Sequence, residues 1–284
     1  MKFGVFLFPT DQTIQPADLA RAAEDLGFES LWFPEHSHIP VARLTPWGGV
    51  QGAAPLPEHY WRTHDQFVAL SFAAAVTTRL KLGTGVTLVA QRDPVWLAKE
   101  VASLDHLSGG RLMFGIGYGW NKEEMASHGV AYHRRRGLLR EKVLLMKSLW
   151  LQEEASFDGE LVNLEPSWSW PKPIQRPHPP IIMGAAAGPA TLTHMVEFCD
   201  GWMPLGTRHG LSDLPAVRRA LAASGRDPDS FEITLYHAKA ESRVLEELVE
   251  KGIHRVVFTL PQRSPAEVLE RLKRLAEVVA AHPA

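Results

Sequence analysis

Gly115, Gly117 and Gly119 alternate with other residues in GIGYGW, and the run opens directly onto Asn121, Lys122, Glu123 and Glu124. Glycines so spaced let a backbone approach a phosphate, but the dinucleotide fingerprint needs a third glycine three places after the second, and Trp120 stands there. A Rossmann turn is therefore disfavoured. Asn121 can cap a helix with Glu124 three residues on, so the free amides of a helix start would face the strand end, where a phosphate can sit. The alternative is that the glycines only allow close packing and a tight turn. Ala185, Ala186, Ala187, Gly188 and Pro189 offer the same chemistry a second time, since small side chains leave backbone amides open at a helix start. His36 and His38 raise a metal reading, but alternate strand positions point to opposite faces and neither a cysteine nor an HExxH pattern accompanies them. The Arg134, Arg135, Arg136 triplet is a solvated face unless an acidic ligand uses it.

These candidates need elements to hold them. Arg79 to Trp120 forms a βαβ unit, with Lys81 to Val86 as a strand, Asp93 to Leu107 as a helix and Arg111 to Gly117 as a second strand. Asp93 can cap the helix, Pro94 suits its first position, and Ser108, Gly109 and Gly110 stop it. Leu97, Val101 and Leu104 share one face. Strands joined in this way are parallel neighbours, and the loops at their carboxyl ends, Gly85-Val86 and Gly117-Tyr118-Gly119, carry whatever site exists.

The rest of the chain repeats that alternation. Phe3 to Phe8 is an apolar run fit for a strand buried on both faces, Pro16 to Leu26 a helix stopped by Gly27, and Glu29 to Phe33 a second strand. Ser37 to about Trp61 is rich in Pro and Gly and carries Trp47, Tyr60 and Trp61, which makes it either a wall for a flat ligand or a loop anchored by its tryptophans. Helices are expected over Asp65 to Val76, Arg134 to Trp150, Leu214 to Ala223, Arg243 to Lys251 and Pro265 to Ala280. Further strands are expected at Pro180 to Gly184, Gly201 to Leu205, Phe231 to His237 and Arg255 to Leu260, with a small hairpin around Phe157 to Leu161. Eight strands, each followed by a helix, favour a (β/α)8 TIM barrel over an open doubly wound sheet. The expectation is a single domain, 1–284, with insertions at about 37–61 and 152–179.

Composition narrows the partners. A chain of 284 residues, 45% hydrophobic and with a formal charge of -2, can bury a sizeable core and has no electrostatic footprint for nucleic acid. The lone Cys199 fits a reducing compartment, and no run is long enough for a membrane span. A cytoplasmic protein acting on a small molecule is the expectation.

With SLWFPEH, LGTGV, RDPVWLAKEVASLDHLSGGR, GIGYGW and CDGWMP in place and in order, the chain resembles the bacterial luciferase-like flavin monooxygenase superfamily. It is most similar to the branch of oxidoreductases that use the deazaflavin coenzyme F420, and the resemblance covers nearly the whole chain. The resemblance implies a barrel, usually dimeric, that holds its flavin at the carboxyl-end rim. It implies a bulge at Gly85-Val86, often with a non-prolyl cis peptide, so that Gly85, Val86 and Leu88 meet the cofactor's ring. Tyr118, Gly119, Ala185, Ala187 and Gly188 would lie near its phosphate and tail, and Glu35 and His36 on the reacting side. His36 is then the candidate for proton transfer, with a structural histidine as the alternative.

Two departures stand out from that pattern. Sugar-phosphate dehydrogenases of the branch use a glutamate as base directly after the glycine of the fourth-strand turn, whereas this chain has Trp120, which argues against a sugar phosphate. The residues after strand five are all alanine here, which keeps backbone contacts and removes hydroxyl donors. The alternatives are an FMN-dependent monooxygenase on the same scaffold and a flavin-binding protein without turnover; a metal-dependent hydrolase lacks its ligand set.

Overall fold

Side chains alternate faces along a strand, and in this chain both faces are apolar. In β1 (Lys2–Phe6) and just beyond it, Phe3, Val5 and Leu7 join a large core between strands and helices, while Phe6 and Phe8 join a smaller one. β2 (Ser30–Phe33) divides in the same way, with Leu31 and Phe33 in the large core and Trp32 in the small one, and β4 (Leu112–Ile116) sends only Met113 to the small one. Those cores are the two sides of a closed parallel sheet.

The computed structural model describes residues 1–205 and 211–282. Its barrel runs β1, β2, β3 (Lys81–Thr84), β4, β7 (Ile181–Met183), β8 (Gly201–Trp202), β9 (Glu232–Tyr236), β10 (Arg255–Thr259) and back to β1. The hairpin of β5 (Ala155–Asp158) and β6 (Asn163–Ser167) stands outside it. The helices are α1 (Pro16–Asp25), α2 (His59–Arg62), α3 (Gln66–Ala75), α4 (Pro94–Leu107), α5 (Lys122–Ser127), α6 (Arg135–Leu151), α7 (Pro189–Phe198), α8 (Leu214–Ala223), α9 (Ser242–Glu250) and α10 (Pro265–Ala280). This is the (β/α)8 barrel that the alternation predicts.

Local chemistry sets the elements that matter for the site. The Asp93 carboxylate accepts from the N–H groups of Val95 and Trp96 at 3.0 and 2.9 Å and starts α4. Glu24 seats β3: burial alone would raise its carboxyl, but the N–H groups of Arg79, Leu80 and Thr78 outweigh that and hold it near about 2. At the amino end of the barrel Arg255, 1% exposed, donates to both Glu29 oxygens at 2.8 Å and to Glu232 and Thr234, closing the floor with a satisfied charge. Inside, Trp32 fills the space over Gly83, where a Cβ would collide with the indole.

The strand expected over Lys81 to Val86 stops pairing earlier. Gly85 N–H still donates to Phe33 O at 2.7 Å, the Gly85–Val86 peptide is cis, and pairing with β4 resumes at Thr87, bridged to Ile116. Among the described residues no helix is long and apolar enough to cross a membrane.

Candidate functional site

β2 ends at Phe33, so the next side chains leave the carboxyl-end rim of the barrel. His36 turns inward: its Nδ1 lies 2.8 Å from Glu124 Oε2, with side chains only 7% and 1% exposed. The other Glu124 oxygen accepts from Ser37 N–H and Gln91 Nε2, each at 3.3 Å. Tyr60 and Trp120 flank the imidazole at centroid distances of 5.1 and 5.7 Å, and Trp47 meets Tyr60 at 5.8 Å. Beside His36 a cavity of about 360 Å³ opens, its lining residues including Glu35, Asp65, Gln66, Gln91 and His128.

The long 37–61 segment reaches this place because it is tied down. Glu123 Oε1 accepts from Leu44 and Thr45 N–H at 3.0 and 3.2 Å, and Arg62 pairs with Asp11 at 2.6 Å. Of the loop's aromatics, Trp47 and Tyr60 pack together beside His36 and Trp120, whereas Trp61 stays about half exposed.

Glu35 lines the same cavity as His36 but meets different partners. Its carboxylate, only 9% exposed, accepts from Leu88 N–H at 2.6 Å and Arg92 Nε at 2.5 Å. Burial works against the Arg92 charge, but Glu35, Glu100 and Asp65 more than offset it and hold the guanidinium above its ordinary range. On the other side of this loop Lys142 donates to Ala90 O and Arg92 O at 2.8 and 2.5 Å, and burial lowers its ammonium to about 8. Glu35 thus ties down the loop that carries Val86 and Leu88, and Glu124 is the carboxylate on His36.

The two turns predicted to favour a phosphate diverge. Asn121 does cap α5, accepting from Glu124 N–H at 3.3 Å, but α5 has only six residues and its first turn carries Glu123 and Glu124. Those carboxylates disfavour an anion at this helix start. Gly119 there adopts φ +74°, and a Cβ would collide with Met125.

α7 is different. It has ten residues, Gly188 precedes it without a side-chain cap and Pro189 takes its first position, so the N–H groups of Ala190 and Thr191 lack intrahelical partners. A Cβ at Gly188 would meet nothing within 4 Å. Nearby, Tyr118 OH lies 2.8 Å from His194 Nδ1, and the exposed Arg136 guanidinium sits 5.2 Å over the Tyr118 ring. An anionic group fits this corner. Trp202 Nε1 donates to Ala185 O at 2.8 Å and fixes the strand end that leads into it. At the barrel axis a Cβ on Gly85 would collide with the Tyr236 hydroxyl, which is buried and without a hydrogen-bond partner among the described residues.

Sequence reasoning missed Glu124 and Gln91 as companions of His36. Glu124 was visible only as a helix-start acid; its partner lies 88 positions away in the chain. Arg136 was visible within the arginine triplet, and only its position over Tyr118 distinguishes it from a solvated charge.

The model of the family described as luciferase-like monooxygenase matches residues 1–277. The chain belongs to the luciferase-like monooxygenase family. Among its relatives, an uncharacterized protein of Mycobacterium tuberculosis is 41% identical over 282 residues, covering 99% of both chains. An F420-dependent glucose-6-phosphate dehydrogenase of Kineococcus radiotolerans is 34% identical over 227 residues, 77% of this chain and 61% of that protein's length. Among solved structures, the coenzyme F420 dependent tetrahydromethanopterin reductase of Methanopyrus kandleri superposes with a TM-score of 0.77 at 18% identity over 99% of both chains. This luciferase-like chain therefore shares its barrel with F420-dependent enzymes.

Proposed function

We propose that this luciferase-like protein is an oxidoreductase that moves a hydride between coenzyme F420 and a small, uncharged organic substrate. The carrying observation is that His36, held by Glu124 between Tyr60 and Trp120, shares the carboxyl-end rim with the Gly85-Val86 turn and the open start of α7. The 34% identity to an F420-dependent dehydrogenase supports the choice of cofactor.

Bound F420 would supply a carbon centre that takes or gives a hydride. Every other part of the reading belongs to the chain. Ala190 and Thr191 N–H with Arg136 would hold the phosphate and tail beside Tyr118, Gly119, Ala185, Ala187 and Gly188. Gly85, Val86 and Leu88 would support the ring, in a loop held rigid by Glu35 and Lys142. Tyr60 and Trp120 exclude water and face the substrate's carbon skeleton, and His36 exchanges the proton that accompanies hydride movement. Trp120 supplies no charge to match a sugar phosphate. The family's description keeps FMN as the second reading. Parallel titration of the cofactor-free protein with F420 and FMN decides: F420 is expected to bind at least about tenfold tighter, on the order of 1.4 kcal/mol. Equal affinities, or FMN co-purifying at full occupancy, would reject the F420 assignment.

The same reading includes a homodimer in the cytoplasm. α3 has no charged residue, and its outer face leaves Val68 and Phe72 57% and 62% exposed, while Trp96 of α4 is 71% exposed. A helix apolar on both sides calls for cover on both sides, and a second copy would give it. Sedimentation of Phe72→Glu is expected to show monomer where the parent shows dimer; a monomeric parent would exclude this assembly.

A further inference from the structure

We propose that Glu124 is a positioning residue that keeps a hydrogen on His36 Nδ1 in every protonation state of the ring, so that Nε2 is the only nitrogen that gains or loses a proton. The inference rests on His36 being the proton-transfer residue proposed above, and it adds which atom does the work and what enforces it.

Three groups surround the Glu124 carboxylate, and their donors decide where the hydrogen lies. Glu124 is 1% exposed by side chain and its carboxylate meets three groups. Ser37 N–H is a donor with no alternative role, and Gln91 Nε2, as oriented, is another; both approach Oε1. Oε2 faces His36 Nδ1 at 2.8 Å. One hydrogen must lie between those two atoms, because two lone pairs do not approach so closely in a buried place. Oε1 already accepts two N–H donors, as a carboxylate does, so the hydrogen is assigned to the ring nitrogen. The neutral ring is then the Nδ1–H tautomer with its lone pair on Nε2. When Nε2 takes a proton, the resulting cation already faces a carboxylate, and when it gives the proton up nothing needs to rotate. Tyr60 and Trp120 on the flanks keep the ring plane from turning. Glu124 can do this only because α5 begins where it does: Asn121 caps the helix and leaves the third residue free to reach across to the β2 exit.

This assignment is tested on the free protein by ring ¹⁵N resonances, with the His36 signals identified by their loss in His36→Asn. The neutral wild-type ring is expected to show a protonated Nδ1 and an unprotonated Nε2. Glu124→Gln turns a donating amide toward either the ring or the Ser37 and Gln91 donors, so its His36 is expected to show a mixture of tautomers. With F420 and a panel of simple alcohols, the same variant should lose at least about tenfold in kcat, as when a tautomer-fixing carboxylate is neutralised elsewhere. Its KM and cofactor affinity should stay put. A neutral wild-type ring protonated at Nε2 overturns the proposal, and that measurement needs no variant to fold. So does a folded Glu124→Gln with wild-type tautomer and kcat. The resonances require neither cofactor nor substrate, so failure here is separable from failure of the functional reading, which full turnover in His36→Asn would end.

Discussion

The turns that leave β4 and β7 begin alike, with small residues followed by a helix, and they finish with opposite electrostatics. After β4 the amide of Glu124 is taken by Asn121, and the carboxylates of Glu123 and Glu124 bind the 44–45 backbone and His36. After β7 nothing caps the helix, no acidic residue stands in its first turn, and Arg136 lies across the gap over Tyr118. A helix start attracts an anion only while its amides are unclaimed and no side-chain carboxylate is closer. The rim is therefore divided: one side buries a carboxylate against an imidazole, and the other leaves helix amides without a side-chain cap beside a guanidinium.

That division has consequences that separate the two sides experimentally. The largest effect belongs to the β4 side. His36→Asn keeps a hydrogen-bonding side chain of similar width but cannot titrate, so turnover is expected to fall roughly 10²- to 10⁴-fold while cofactor affinity, measured by fluorescence titration, holds. If affinity fell in step with turnover, both sides of the rim would be serving binding.

The next effect converts one side into the other. Gly188→Asp places at the start of α7 the kind of carboxylate that α5 already has, at a position with φ -71° and room for a side chain. As a helix cap it should leave thermal stability equal or higher. As a charge it should weaken F420 binding by about tenfold or more, in line with a carboxylate set directly against a bound anion at a helix start. An unchanged dissociation constant would remove the α7 start from the binding site.

The smallest effect is a pH dependence confined to the His36 side. Burial lowers the Lys142 ammonium from its ordinary 10.5 to about 8. Between those values the unfolded chain binds more protons than the folded one, so this group makes the fold more stable as pH rises through that window, by at most about 1.4 kcal/mol per pH unit. Below it the contribution is flat. Denaturant unfolding of the parent and of Lys142→Met, compared at pH 7 and pH 9.5, should show the gain only in the parent. Parallel slopes would mean that Lys142 keeps its proton throughout.

Much of the architecture was legible because it rests on local patterns. The eight barrel strands appear where alternating or continuous apolar runs lie between helix stops, and Asp93, Pro94 and Gly109 mark the ends of α4 as their chemistry requires. The hairpin outside the barrel was legible for the same reason, from a Gly-containing turn between short extended runs. The site was legible only in part. His36 and the α7 start are properties of single stretches. The partners of Glu35 were not legible because Leu88 and Arg92 lie 53 and 57 positions away in the chain, and Glu124 was overlooked because a helix-start glutamate has many possible partners.

By itself the sequence determined the period of each element, the caps that bound it, the net charge, and hence a barrel whose carboxyl-end loops carry the polar residues. Those are short-range quantities, decided by backbone sterics and by side chains within a few positions of one another. Only the tertiary structure decided which carboxylate meets which base. The β2 exit and α5 approach because β3 and β4 close the barrel between them, and burial then makes a 2.8 Å contact between His36 and Glu124 a commitment that neither stretch encodes alone.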